Sequence, residues 1–176
     1  MISKEQSIAA LKEAIRRQPD NADAYLQLAD AYFYAGEWEE SLEAAKQLVR
    51  LRPDDEISYW PLAAAYHELG RWQDVIDANR EALRINPDSR GALEGSGIAY
   101  AYLNRFEEAA RTLQHAIRIY PDAAYTHAWL AQVYGALGER EAAFAELRIL
   151  EKIDPVMARE TEQHVQERLE SPPPAQ

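Results

Sequence analysis

Residues 22–55 read ADAYLQLADAYFYAGEWEESLEAAKQLVRLRPDD, and this stretch decides the fold. Apolar residues recur at three- and four-residue steps, as in Leu26, Ala29 and Phe33 and again in Leu42, Ala45, Leu48 and Val49. That spacing places them on one face of a helix. Between the two runs stands Gly36, a residue free to take the left-handed conformation that ends a helix. After the second run comes Pro53-Asp54-Asp55, which stops one helix and offers carboxylates to cap the next. No segment of the chain alternates in the period-two manner of a strand.

Working outward, Pro53 belongs to the series Pro19, Pro53, Pro87, Pro121 and Pro155, each 34 residues after the last. A fixed period of this length marks stacked supersecondary units, so the chain divides into residues 22–55, 56–89, 90–123 and 124–157. The columns of that frame agree. Position 11 holds Tyr32, Tyr66, Tyr100 and Tyr134, and position 8 holds the small residues Ala29, Ala63, Gly97 and Ala131. Position 15 holds Gly36, Gly70, Asn104 and Gly138, which predicts a left-handed helix stop in the middle of every unit. Pro19-Asp20-Asn21, Pro53-Asp54-Asp55, Pro87-Asp88-Ser89 and Pro121-Asp122 are each expected to cap or turn, and Pro155 to take the first helical position.

With aromatic residues at position 4, Leu at 7, a small residue at 8, Tyr at 11, Gly at 15 and Pro at 32, the pattern resembles the tetratricopeptide repeat over nearly the whole chain. The resemblance implies an all-α fold, a right-handed superhelical solenoid of antiparallel helix pairs. It would hold about ten helices within a single domain over residues 1–170. Leu93 and His127 depart from the aromatic at position 4, and Asn79 from the large apolar residue at position 24. These departures are expected to weaken local packing. Pro61 falls inside a first helix, so a late start or a kink is expected at Trp60-Pro61.

Residues 3–18 sit in phase as the second helix of a half repeat, with Ser3 and Gln6 spaced as a capping box. Ile8, Leu11 and Ile15 are expected to pack on the first full repeat, leaving Lys12, Arg16 and Arg17 on the outer edge. Residues 155–170, with Val156, Val165 and Leu169 amid charged residues, read as the solvating helix that repeat arrays carry at an end. Residues 171–176, SPPPAQ, read as a flexible proline-rich tail or the start of a linker.

The formal net charge of -11 repels phosphate backbones and anionic lipid surfaces, which argues against nucleic acid and membrane partners. No run approaches 18 apolar residues, and the N-terminal stretch is charged where a leader would be apolar, so a cytoplasmic protein without membrane insertion is expected. The chain has no cysteine, which removes thiolate nucleophiles and zinc-thiolate sites. His67, His115, His127 and His164 lie on different repeats, and no Gly-rich phosphate loop or G-x-S-x-G turn is present. The reading is therefore of a protein that is not an enzyme, with no cofactor and no metal.

The resemblance implies that first-helix residues at positions 2, 5, 6, 9, 12 and 13 line a concave groove. Carried over, the peptide-binding residues are Leu26, Asp30, Phe33, Trp60, Ala64, His67, Glu94, Ile98, Tyr102, Tyr125, Trp129 and Gln132. This lining is aromatic and acidic. It lacks the Lys, Asn and Arg residues with which one subset of the family clamps C-terminal carboxylates, so a carboxylate-clamp ligand is not expected. An adaptor for a peptide or helix with apolar and basic residues fits, with Asp30, Glu68 and Glu94 facing the basic groups. The alternatives are a homo-oligomer self-assembling through its terminal helices and the repeat arm of a larger enzyme.

Overall fold

The computed structural model describes residues 4–170. The capping box at Ser3 and the tail from Ser171 lie outside them. Ten α-helices and one 3-10 turn follow one another, with no strand among the described residues. They are α1 (Lys4–Arg17), α2 (Ala22–Phe33), α3 (Trp38–Leu51), a 3-10 turn (Glu56–Ser58), α4 (Tyr59–Glu68) and α5 (Trp72–Ile85). Then come α6 (Arg90–Tyr102), α7 (Phe106–Ile119), α8 (Ala124–Leu137), α9 (Arg140–Ile153) and α10 (Pro155–Glu170). This is an all-α helical repeat fold. Among the described residues no helix is long and apolar enough to cross a membrane.

The expected helix stops are present. Gly36, Gly70, Asn104 and Gly138 all have φ between 58° and 75°, in the left-handed region. Each time, the N–H of the next residue reaches back to the carbonyl of the tyrosine of position 11: Glu37 to Tyr32, Arg71 to Tyr66, Arg105 to Tyr100 and Glu139 to Tyr134, at 2.9–3.0 Å. The preceding N–H bonds the residue after that tyrosine, as in Gly36 to Phe33 at 3.0 Å. Paired bonds of this kind satisfy the last carbonyls of a helix and turn the chain sharply enough to bring the second helix back on the first.

The helix starts are less uniform. Asn21 accepts from the Ala24 N–H at 3.0 Å, Asp55 from Ile57 at 3.1 Å, and Asp154 from Val156 and Met157, each at 3.0 Å. Asp122 does not cap α8, whose cap residue is Ala123 and has no side-chain bond to give. Pro155 begins α10 as expected. Pro61 delays its helix: a 3-10 turn occupies Glu56–Ser58, and α4 starts at Tyr59, so Pro61 sits in the first turn. There the N–H that proline lacks would have had no helical partner.

The chain forms two compact units, Met1–Ala92 and Leu93–Gln176. In the first, Leu28, Ala29, Tyr32, Leu42 and Ala45 of α2 and α3 join Tyr59, Leu62, Ala63, Ala65 and Ala78 of α4 and α5 in one buried cluster. Ile8, Leu11 and Ile15 of α1 pack on it, half-buried. Lys12 is exposed, as an edge residue should be, but its ammonium reaches back over the Tyr32 ring, 5.4 Å from the centroid. Asn79 is buried with its Nδ2 lacking a hydrogen-bond partner, so here the departure from an apolar residue does leave a weak point.

In the second unit Leu113, Leu130, Ala131, Val133, Leu147 and Leu150 form the cluster, and α10 closes it with Ala158 and Val165. Val156, expected among the apolar residues of α10, is exposed. Gly97 touches the core closely: a Cβ on it would stand 2.6 Å from Leu113 Cγ. Leu93 and His127 corrected another expectation, since both are buried and well packed. His127 is 1% exposed, with Nε2 donating to the Pro121 carbonyl at 2.8 Å and Nδ1 at 2.6 Å from Glu146 Oε2. Tyr59, the aromatic at the same position of its repeat, donates to the Pro53 carbonyl at 2.8 Å. The histidine thus reproduces the tyrosine's bond to the periodic proline.

Candidate binding faces

The residues expected to line a groove fall in two groups, one in each unit. In the first, Leu26, Asp30 and Phe33 follow one another at helical steps along α2, which aligns them on one face. Trp60, Ala64 and His67 do the same on α4. The late start of α4 leaves Trp60 in its first turn, 52% exposed, and the Phe33 and Trp60 rings lie 6.5 Å apart. Phe33 is held from its other sides by Trp38 at 5.2 Å and Tyr34 at 5.8 Å. Tyr34 and Ile57 extend the exposed apolar area. Leu26 and Ala64 are half-buried.

Asp30 stands out electrostatically. Its Oδ1 is buried and has no hydrogen-bond donor among the described residues. Burial raises the pKa of its carboxyl from the ordinary aspartate value. An acceptor in that condition is destabilising by about 1–3 kcal/mol until a donor reaches it. His67 is half-buried: its ring packs edge-on against Trp72 at 4.9 Å, and Nδ1 lies 3.3 Å from Glu68 Oε1.

In the second unit Tyr102, Tyr125 and Trp129 come together. Tyr102 and Trp129 ring centroids are 5.8 Å apart, and Tyr125 meets Trp129 edge-on at 6.3 Å. Both tyrosines are exposed and Trp129 is half-buried beneath them. Gln132 is half-buried one turn on from Trp129. Two expectations are corrected here. Ile98 is only 6% exposed and belongs to the core, so it presents no surface to a ligand. Glu94 is engaged within the fold, accepting a short hydrogen bond from the Thr126 hydroxyl.

Sequence reasoning missed the carboxylates of α3 beside the first face, which form a separate cleft with Tyr25 and Tyr32. The signal was in α3 itself, where Glu39, Glu40 and Glu43 fall on two successive turns. Among the described residues no group of three or more His, Asp or Glu is placed to share a metal ion.

Residues 5–66 match a family model described as "Tetratricopeptide repeat", and residues 97–138 match a second described as "TPR repeat". No curated protein matches the sequence. Solved structures resemble it in fold. A MamA crystal structure aligns with a TM-score of 0.79 at 22% identity, covering 93% of this chain and 91% of that one. YrrB, described as a TPR protein with an unusual peptide-binding site, aligns with a TM-score of 0.79 at 17% identity over 91% of this chain and 84% of that one. TTC0263, a thermophilic TPR protein in Thermus thermophilus, gives 0.72 at 21% identity over 93% and 91%.

Proposed function

We propose that this chain, which belongs to the tetratricopeptide repeat family, is an adaptor that binds a peptide or helix carrying apolar and basic side chains. The fold supports a protein-interaction role in general. The finer reading rests on one observation above all, the pairing of Phe33 with the exposed Trp60 beside the unsatisfied oxygen of Asp30. Aromatic side chains bury large areas at little entropic cost, which makes them the usual anchors of an interface. A lysine or an arginine brought in by the ligand would be attracted by the charge of the half-buried Asp30 carboxylate. The neighbouring protein YrrB is described as having a peptide-binding site, and we extend that class of ligand to this chain.

The test is fluorescence anisotropy with labelled amphipathic peptides, matched in apolar content and bearing either Lys and Arg or Glu and Asp. The basic set should bind and the acidic set should not. Trp60→Ala should weaken binding by tenfold or more, about 1.4 kcal/mol or above. Asp30→Asn should weaken the basic peptides only. Equal binding of both sets, or binding indifferent to Trp60→Ala, would overturn the reading.

A further inference from the structure

Two of the four tyrosines of position 11, Tyr66 and Tyr100, have a second property besides the helix stop that follows them. Tyr66 has the Arg71 guanidinium 4.7 Å from its ring centroid, and Tyr100 has Arg105 at 4.6 Å. In each case the arginine is the residue whose N–H bonds that tyrosine's carbonyl, so the turn itself delivers the cation to the ring. An acid three residues on fixes it, Asp74 at 2.7 Å from Arg71 Nε and Glu108 on Arg105. Tyr32 and Tyr134 break the pattern: the corresponding residues are Glu37 and Glu139, and at Tyr32 the cation comes from another helix, as Lys12 of α1.

Two clefts meet at Tyr32 and Glu40. The first, about 370 Å³, lies between α1 and the α2–α3 turn and is lined by Lys12 together with Glu5, Glu37 and Glu40. The second, about 430 Å³, lies between α2 and α3. Its floor is Leu28, Tyr32 and Ala44, all buried, and its rim carries Glu39, Glu40 and Glu43, all exposed. None of its lining residues is basic. Glu43 pairs with Lys46 at 2.6 Å, away from the cleft lining, and Glu40 is shared with the Lys12 cleft. Around Tyr32, the carboxylates Glu37, Glu39, Glu40 and Glu43 thus outnumber the ammonium groups Lys12 and Lys46.

We propose that the cleft between α2 and α3 binds an aliphatic polyamine, a small molecule with two or more ammonium groups joined by methylene spacers. The carboxylates stand at two levels of α3, Glu39 and Glu40 on one turn and Glu43 on the next. A single ammonium reaches one level, whereas a polyamine reaches both. Its methylenes lie on Leu28 and Ala44, and one ammonium meets Tyr25 or Tyr32 as Lys12 meets Tyr32 in the neighbouring cleft. The size is that of a small-ligand site, and the net charge of -11 draws polycations in from solution. The site is separate from the aromatic faces, so its fate is independent of the adaptor reading.

The experiment is an NMR titration of the full chain with spermidine at constant ionic strength, following the amides of α2 and α3. Saturable shifts confined to those helices are expected. The double variant Glu39→Gln/Glu40→Gln, altered only at exposed residues, should bind at least about tenfold more weakly. Lys12→Gln should bind as tightly or more tightly, because Glu40 loses its internal competitor. Four results would each overturn the proposal: no saturation, equal binding by the double variant, equal shifts with butylamine or magnesium chloride, or displacement of spermidine by a lysine-bearing peptide of higher affinity.

Discussion

At the scale of single residues, size and charge are matched across contacts that the repeat frame does not reveal. Gly97 and Leu113 stand where the first repeat has Ala29 and Ala45, and the fully buried leucine fills the volume the missing Cβ leaves. Gly97→Ala is ordinarily favourable in a helix, by up to about 1 kcal/mol. Here the methyl meets Leu113 Cγ at 2.6 Å, and overpacking dominates. We expect a net loss of about 1–2 kcal/mol in urea unfolding, and in a Leu113→Ala background, itself destabilised, the same Gly97→Ala step should cost less or become favourable. His127 gives a second case. A carbonyl and a carboxylate can only accept, so this geometry favours the imidazolium, in which both ring nitrogens donate. The Glu146 bond raises its pKa above the ordinary 6.5, against an opposing effect of burial, with Pro121 and Asp122 adding to the rise. The folded state then holds a proton that the unfolded chain has lost. This contribution to stability is complete below about pH 6.5 and is lost as pH rises through the raised folded value. Urea midpoints measured from about pH 5.5 to 9 should fall over that window, and His127→Gln should remove that part of the slope.

At the scale of elements, the weakest attachment is that of α1. Its apolar residues Ile8, Leu11 and Ile15 are half-buried, while α2 and α3 bury Leu28, Leu42 and Leu48. Local opening follows buried apolar area, so α1 amides should exchange hydrogen faster than those of α2 and α3. Leu11→Ala should speed exchange in α1 while leaving α4 and α5 unchanged; uniform acceleration across the first unit would show that α1 opens only with the whole. α4 illustrates a different balance. Pro61 shortens it at the start, and the 3-10 turn is held by Asp55 on the Ile57 N–H and by Asn86 donating to Glu56 at 2.6 Å. The same late start leaves Trp60 exposed, so a backbone irregularity becomes part of the aromatic face.

At the scale of the molecule, each unit presents one aromatic cluster on its first helices, and the sequence disclosed the clusters unevenly. The helix stops were legible because a left-handed turn needs Gly or Asn, and a 34-residue column of them has no other ready explanation. Tyr102 and Tyr125 were legible as surface because the family resemblance implies which positions face outward. Ile98 was not, because a position in a column says nothing of how deeply a neighbour covers it. Glu94 and His127 escaped for a related reason: their partners Thr126, Pro121 and Glu146 come from elsewhere in the chain, and a column shows only what recurs. The lysine over Tyr32 was hidden by the same limit, since it fills from α1 a place that arginines fill from within their own repeats. The claim that the aromatic faces receive a basic, apolar peptide is tested most directly by the indole N–H signals of the four tryptophans in an NMR titration with such a peptide. The account predicts that Trp60 and Trp129 shift and saturate, while Trp72, already packed against His67, stays in place. Saturable binding that leaves both Trp60 and Trp129 unmoved would contradict it.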